Sequence, residues 1–295
     1  MVGFPKTQYT KQIPKDYFEE VFEGGTVVVI EYNTFDYANN ISKMCRKHAN
    51  VYLPYGYAES KSYNILYLLH GWTGNAEDFI NDKACQLKFL LDHMIADHII
   101  PPIIVVSPTW DRDNEEKEWE ESCLEVENFW KEYCHHLVPA IEGIFNKGCG
   151  NDLRTNWQQR SVGGFSLGAI ATWYIFQNCF GLQKNYVPMS GECWGIDESS
   201  IAKDSFDMIK KVIDNSDFKE DDFQIFSAVG TRDSRYKQVS TQSELFRSLN
   251  EIKSNCFRYY VKEGGYHSYI SAYEYLYNIL PKMLITNQNI NNLNN

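Results

Sequence analysis

The sequence predicts an α/β protein, a mainly parallel sheet of eight strands covered by helices on both faces. Short apolar runs alternate with longer amphipathic stretches from about residue 60 onward. The runs are continuous rather than alternating, as strands buried on both faces require. Each run is followed by a segment of helical length, which is how parallel strands are connected.

Before that alternation, Thr26 to Glu31 and Lys47 to Leu53 are rich in β-formers and are expected to be antiparallel strands at a sheet edge. Tyr63-Asn64-Ile65-Leu66-Tyr67-Leu68-Leu69 is a central strand that stops at His70-Gly71. A helix is expected from Ala76 to about Ala96, where Phe79, Leu87, Leu90, Leu91 and Met94 recur at near-helical spacing. Ile103-Ile104-Val105-Val106 is the next buried strand, ended by Ser107-Pro108. Leu124 to Phe145 reads as one helix, kinked at Pro139, whose ring removes an N–H and crowds the preceding turn. Val162 to Phe165 is a short strand running into a helix that starts near Leu167. Tyr186 to Met189, Phe223 to Val229 and Phe257 to Val261 are the remaining strands, and helices Ile201 to Ile213, Val239 to Leu249 and Tyr269 to Leu284 follow them. No composition shift divides the chain. Residues 1–286 are therefore read as one domain, followed by a polar, Asn-rich tail at 287–295 expected to be disordered.

Composition narrows the function classes. Of 295 residues, 43% are hydrophobic and 23% charged, enough apolar material for a core and too much for disorder. The net charge of −11 argues against a nucleic-acid backbone as partner, because that affinity comes from Lys and Arg neutralising phosphates. No run reaches the roughly 20 apolar residues that span a bilayer, so no membrane partner is expected. The first residues, Met1-Val2-Gly3-Phe4-Pro5-Lys6, lack the charged-then-apolar pattern of a secretory signal. The chain is then cytosolic, or its signal has been removed. Eight cysteines are sparse for this length and form no CxxC pair, which disfavours zinc knuckles and thioredoxin-like chemistry. Disulfides among Cys123, Cys134, Cys149 and Cys193 are open to the sequence, whereas Cys85 and Cys179 lie in apolar helical contexts and read as buried thiols. Aromatics reach 15%, and Tyr and Trp offer flat apolar faces suited to sugar or aryl ligands as well as to a core.

Gly164-Phe165-Ser166-Leu167-Gly168 is the strongest local signal. It is a G-x-S-x-G between a strand and a helix, where a tight turn lifts a serine hydroxyl above the sheet and leaves no room for flanking side chains. A serine hydroxyl needs a base. His267, in the loop after the last strand, lies at the same carboxyl edge of the sheet as Ser166. His70 ends its strand at that edge but precedes Gly71, a place suited to shaping a loop; His135 and His136 are adjacent in a helix, and His48, His93 and His98 read as surface or core residues. Asp233, reached from the Phe223 strand through Gly230-Thr231-Arg232, is the acid expected to fix the imidazole tautomer, with Glu192 and Asp197 as competitors. The order Ser166, Asp233, His267, with gaps of 67 and 34 residues, is the Ser…Asp…His order of α/β-hydrolases. A tetrahedral intermediate needs two donors, expected from the amides of Leu167 and Trp72.

Tyr67-Leu68-Leu69-His70-Gly71, the elbow itself, Met189-Ser190-Gly191-Glu192-Cys193-Trp194, Gly230-Thr231-Arg232-Asp233 and Gly264-Gly265-Tyr266-His267 occur in that order. Together they resemble carbohydrate esterase family 1, and within it the feruloyl (cinnamoyl) esterase domains of microbes that degrade plant cell walls. The resemblance covers residues 45 to 285. It implies an α/β-hydrolase fold, the triad Ser166, Asp233 and His267, oxyanion amides at Leu167 and Trp72, and no cofactor or metal. It further implies a secreted, monomeric enzyme that cleaves hydroxycinnamoyl esters from feruloylated or acetylated plant polysaccharide and oligosaccharides. An acetyl xylan esterase with the same triad is the alternative, and a non-catalytic glycan-binding module on this fold is a third. Trp194, Trp110 and Trp119 are candidate stacking surfaces for a feruloyl ring or a sugar. The acidic stretch Asp111 to Glu121 leaves the catalytic rim as a solvated loop or a substrate flap.

Overall fold

Residues 7–80, 87–110, 118–145, 157–194, 201–218, 222–247 and 256–284 are described by the computed structural model. Nine strands make one sheet among them: β1 (Gln8–Tyr9), β2 (Thr26–Asp36), β3 (Asn40–Leu53), β4 (Asn64–Leu69), β5 (Ile103–Pro108), β6 (Arg160–Phe165), β7 (Asn185–Met189), β8 (Gln224–Gly230) and β9 (Phe257–Lys262). Their order is β1-β9-β8-β7-β6-β4-β5-β3-β2. The pairs from β5 through to β1 are parallel, and only β2–β3 and β3–β5 run antiparallel. The eight expected strands are all present. The ninth, β1, has two residues, too few for any periodicity to reveal, and pairs with β9 as Gln8↔Tyr260 and Tyr9↔Val261.

The outer hairpin is longer than the apolar residues alone indicate. β2 and β3 stay paired from Thr26↔Leu53 to Phe35↔Met44, yet β3 bonds to β5 only over Ala49–Tyr52. Beyond that stretch the hairpin is a two-stranded ribbon, so its outer residues can be polar. Side-chain bonds hold it down: Tyr32 Oη donates to Glu132 Oε1 at 2.8 Å, Lys47 Nζ donates to Glu132 Oε2 at 2.7 Å, and Tyr37 Oη lies 2.8 Å from His136 Nε2.

Helices are α1 (Glu77–Ile80), α2 (Leu87–Ala96), α3 (Trp119–Glu132), α4 (Val138–Phe145), α5 (Leu167–Asn178), α6 (Ile201–Asp214), α7 (Tyr236–Arg247) and α8 (Tyr269–Leu284). The period-two alternation of β4 sorts them into two layers. Ile65, Tyr67 and Leu69 pack with Val126, Ile141, Ile170, Trp173, Val239 and Phe246 on one face. Leu66 and Leu68 pack with Phe79, Leu90, Met94, Tyr273, Leu276 and Leu280 on the other. The expected helix from Ala76 to Ala96 appears as α1 and α2, with residues 81–86 outside the described set. The expected helix from Leu124 to Phe145 starts earlier, at Trp119, and is interrupted before its proline. Tyr133–Leu137 is a π-helical turn in which the Val138 N–H bonds to the Tyr133 carbonyl. Widening the turn there moves the His135 carbonyl away from the Pro139 ring, which would clash with it in a regular helix.

One buried ion pair crosses this core. Arg160 donates from Nε to Glu142 Oε1 at 2.6 Å and from Nη2 to Oε2 at 2.7 Å, with both side chains sealed from solvent. Tyr67 Oη adds a third bond to Glu142 at 3.2 Å.

Cys45, Cys123, Cys134, Cys179, Cys193 and Cys256 are free thiols, so no disulfide joins Cys123, Cys134 or Cys193 to another described cysteine. Cys179 is buried, as its apolar context predicts. Cys85, Cys149, Asp197, residues 111–117 of the acidic stretch and the 287–295 tail lie outside the described residues. Glu118 precedes α3, and Glu120 and Glu121 occupy its first turn, where carboxylates complement the helix dipole. No described helix is long and apolar enough to cross a membrane.

Candidate active site

β6, β7, β8 and β9 are parallel neighbours, so the loops that follow them open on one edge of the sheet. Ser166 stands between β6 and α5 with φ 58° and ψ −118°, a conformation that costs a non-glycine residue about 1–3 kcal/mol and is held by its surroundings. Its N–H donates to the Met189 carbonyl of β7 at 3.0 Å. The flanking glycines are required by contact: a Cβ on Gly164 would lie 2.4 Å from Gly168 backbone, and one on Gly168 would lie 2.1 Å from the Leu69 carbonyl oxygen.

His267 Nε2 lies 2.9 Å from Ser166 Oγ, and His267 Nδ1 lies 2.9 Å from Asp233 Oδ1. A carboxylate only accepts, so the imidazole proton sits on Nδ1 and the Nε2 lone pair faces the serine hydroxyl. Asp233 is sealed from solvent while His267 is partly exposed. The Arg235 N–H also donates to Asp233 Oδ1 at 2.8 Å. The two loops are tied together, since Arg232 N–H donates to the Gly265 carbonyl at 2.9 Å and Gly264 N–H to Thr231 Oγ1 at 2.8 Å. Phe165 packs its ring on the imidazole at a centroid distance of 4.7 Å. Sequence reasoning thus named three residues that the fold brings into one hydrogen-bonded line.

The competitor Glu192 is engaged elsewhere. It is buried in a two-pronged pair with Arg235, whose Nε donates to Oε2 at 3.1 Å and whose Nη2 meets Oε1. Burial pulls the Arg235 guanidinium below its ordinary value. Tyr275, buried nearby, is pushed up by burial first and by the Asp233 charge among lesser causes, so it stays a protonated phenol. Arg235 was not legible beforehand, because its role depends on a loop partner 43 residues away.

The strand–loop after β4 forms the other wall. Gly71 faces Ser166 so closely that a Cβ there would lie 3.3 Å from Ser166 Cβ. The N–H groups of Leu167 and Trp72 have no acceptor among the described residues, as expected for the first turn of a helix in the case of Leu167. Trp72 and Trp119 are 44% and 41% exposed. Their rings meet edge to face at 5.1 Å, and Trp119 meets the half-buried Trp194 at 5.9 Å. These three indoles make a continuous aromatic ledge that begins at Trp72, the residue after Gly71. Trp110 is not part of it: at 1% exposure it stacks on His70 at 5.0 Å and donates its indole N–H to the His70 carbonyl at 2.8 Å. Its strand-end position, followed by acidic residues, gave no sign of that burial. No cluster of metal-ligating side chains occurs among the described residues.

Comparison with known proteins places this geometry. A family described as putative esterase matches residues 42–286. The chain is 29% identical over 245 residues to endo-1,4-beta-xylanase Y of Acetivibrio thermocellus, a match covering 80% of this chain and 22% of that protein. It is 32% identical over 133 residues to an endo-1,4-beta-xylanase/feruloyl esterase of Xylanibacter ruminicola, covering 43% of this chain and 17% of that one. The matched part is thus about a fifth of each relative's length. Among solved structures, a serine-to-alanine variant of the feruloyl esterase module from Clostridium thermocellum, complexed with sinapinate, superposes with TM-score 0.82 at 26% identity, covering 95% of each chain. A ferulic acid esterase of the anaerobic fungus Anaeromyces mucronatus shares the fold, with TM-score 0.71 at 18% identity over 94% of this chain and 97% of that one. The sheet is that of the α/β-hydrolases. Because the family match spans most of the sequence, the chain belongs to this esterase family.

Proposed function

We propose that this protein is a serine esterase that releases feruloyl and related hydroxycinnamoyl groups from xylan-type polysaccharide. The observation that carries the reading is the line Asp233–His267–Ser166, with both contacts at 2.9 Å, together with the amides of Leu167 and Trp72, which have no acceptor among the described residues. His267 Nε2 takes the Ser166 proton as Oγ attacks the ester carbonyl. Negative charge on the carbonyl oxygen is met by the Leu167 and Trp72 N–H groups. Collapse breaks the bond to the sugar oxygen, which leaves with the proton from His267. Water, deprotonated by the same imidazole, then frees the acid and restores Ser166. Asp233 holds the tautomer and balances the imidazolium.

The aryl preference is supported by the ledge of Trp72, Trp119 and Trp194, since an exposed indole stacks on a flat phenyl ring and adds nothing comparable for an acetyl group. The relatives named as xylanases and feruloyl esterases support the polysaccharide class and an extracellular setting. We read residues 1–286 as one monomeric domain acting without a cofactor. Initial rates on methyl ferulate and on acetylated xylan, with wild type and Ser166→Ala side by side, test the proposal. Ferulate release lost in the variant is expected; activity on acetate alone would reassign the chain as an acetyl xylan esterase. Wild-type protein that resists a serine-directed fluorophosphonate would make it a binding module.

A further inference from the structure

We infer that Tyr269, backed by Asp78, is a positioning residue for the oxyanion hole, holding the Gly71 backbone so that the Trp72 N–H points at the reacting carbonyl. The inference rests on the esterase reading and deepens it, because nothing in the triad requires either side chain.

The Tyr269 hydroxyl accepts the Gly71 N–H at 3.0 Å and donates to Asp78 Oδ2 at 2.7 Å. Its single proton is committed to the carboxylate, so the oxygen facing Gly71 can act only as an acceptor. A hydroxyl that donates to a charged acceptor is itself a stronger acceptor. Gly71 N–H is therefore occupied and unavailable to a substrate, although a Cβ on Gly71 would lie only 3.3 Å from Ser166 Cβ.

The next peptide group is fixed from its other side. The Gly71 carbonyl accepts the Gly74 N–H at 3.1 Å and lies 2.8 Å from His70 Nδ1. A peptide unit is planar and trans, so anchoring that oxygen aims the Trp72 N–H in the opposite direction. The turn is held tightly enough to keep Thr73 at φ 61°, where a β-branched residue is an outlier. His70 is itself clamped by Trp110, which stacks on its ring and donates to its carbonyl. Both peptides around Gly71 are thus pinned, one through Tyr269 and one through His70. Tyr269 also touches the Phe165 ring at 5.0 Å, the ring that packs on His267. A tyrosine two residues beyond the base therefore spans to the opposite wall of the site.

Oxyanion donors act on the transition state rather than on the bound ester. Tyr269→Phe keeps the ring and removes the acceptor. It is expected to lower kcat about tenfold to a hundredfold on methyl ferulate, below the roughly 10²–10³ lost with a whole donor, while KM stays within about twofold. The dissociation constant of phenylboronic acid, which adds to Ser166 as a tetrahedral anion, should rise by the factor lost from kcat/KM. That of free ferulate should not move. Asp78→Asn should act in the same direction with a smaller factor, and it serves as the test should Tyr269→Phe fail to fold. Unchanged kcat in a folded variant would overturn the inference, as would a kcat loss with boronate affinity intact. Wild type that neither hydrolyses esters nor binds phenylboronate would instead remove the esterase reading itself.

Discussion

At the scale of single residues, the chemistry depends on which atom carries a proton. Asp233 accepts from Nδ1 and leaves Nε2 basic, an arrangement an amide would disturb by presenting its own N–H to the ring. Asp233→Asn should lower kcat by roughly 10⁴ with little change in KM, as expected when a triad carboxylate is neutralised. Ser166→Ala should remove turnover and fluorophosphonate labelling while leaving thermal unfolding near that of wild type. Ser166, Asp233 and His267 were legible as a set because each stands in a short motif at a strand end. The residues that support them were not. Tyr269 and Gly71 are 198 positions apart, and Trp110 and His70 are 40 apart. Such bonds are specified by the packing of distant segments, and no local spacing encodes them.

Elements were legible in proportion to how far they bury a continuous apolar run. β4, β5 and β8 announce themselves because both of their faces are covered. The outer hairpin was legible as two edge strands but not in its full length, which it owes to a solvated ribbon, and the two-residue β1 was not legible at all, since it depends on a partner strand. Pro139 marked an irregular helix correctly in kind, but the strain is released one turn earlier, in the π turn that ends at Leu137. The elbow gives the sharpest element-scale prediction. Gly168→Ala would force a methyl within 2.1 Å of the Leu69 carbonyl oxygen, and neither backbone can retreat. A loss of about 3 kcal/mol or more is expected. Gly143→Ala in α4, where a Cβ meets nothing within 4 Å, should instead add about 0.5–1 kcal/mol. Chemical denaturation of both variants against wild type checks the contrast.

Across the whole molecule, Arg160 and Glu142 join β6, the strand that leads into Ser166, to α4 through a pair with no access to water. Glu142→Gln leaves an uncompensated guanidinium in the core and should cost about 3–5 kcal/mol. Replacing both partners with apolar residues of similar volume should recover much of that. The folds of relatives follow from the same sheet, and the fold class was readable from the alternation of strands and helices alone. The ledge of three tryptophans was readable only as candidates, because Trp72, Trp119 and Trp194 meet through loops whose relative placement belongs to the tertiary structure.

Ser166 and His267 are separated by 101 positions and sit on either side of two further strands. Parallel strands pair late, since each long loop must close before its contacts repay the lost freedom. During refolding, far-ultraviolet circular dichroism should therefore recover ahead of ester hydrolysis, with no catalytic intermediate along the way. Ser166 meets the imidazole of His267 only where the loop between the last strand and the C-terminal helix is docked, so hydrolytic competence requires the whole sheet to be assembled.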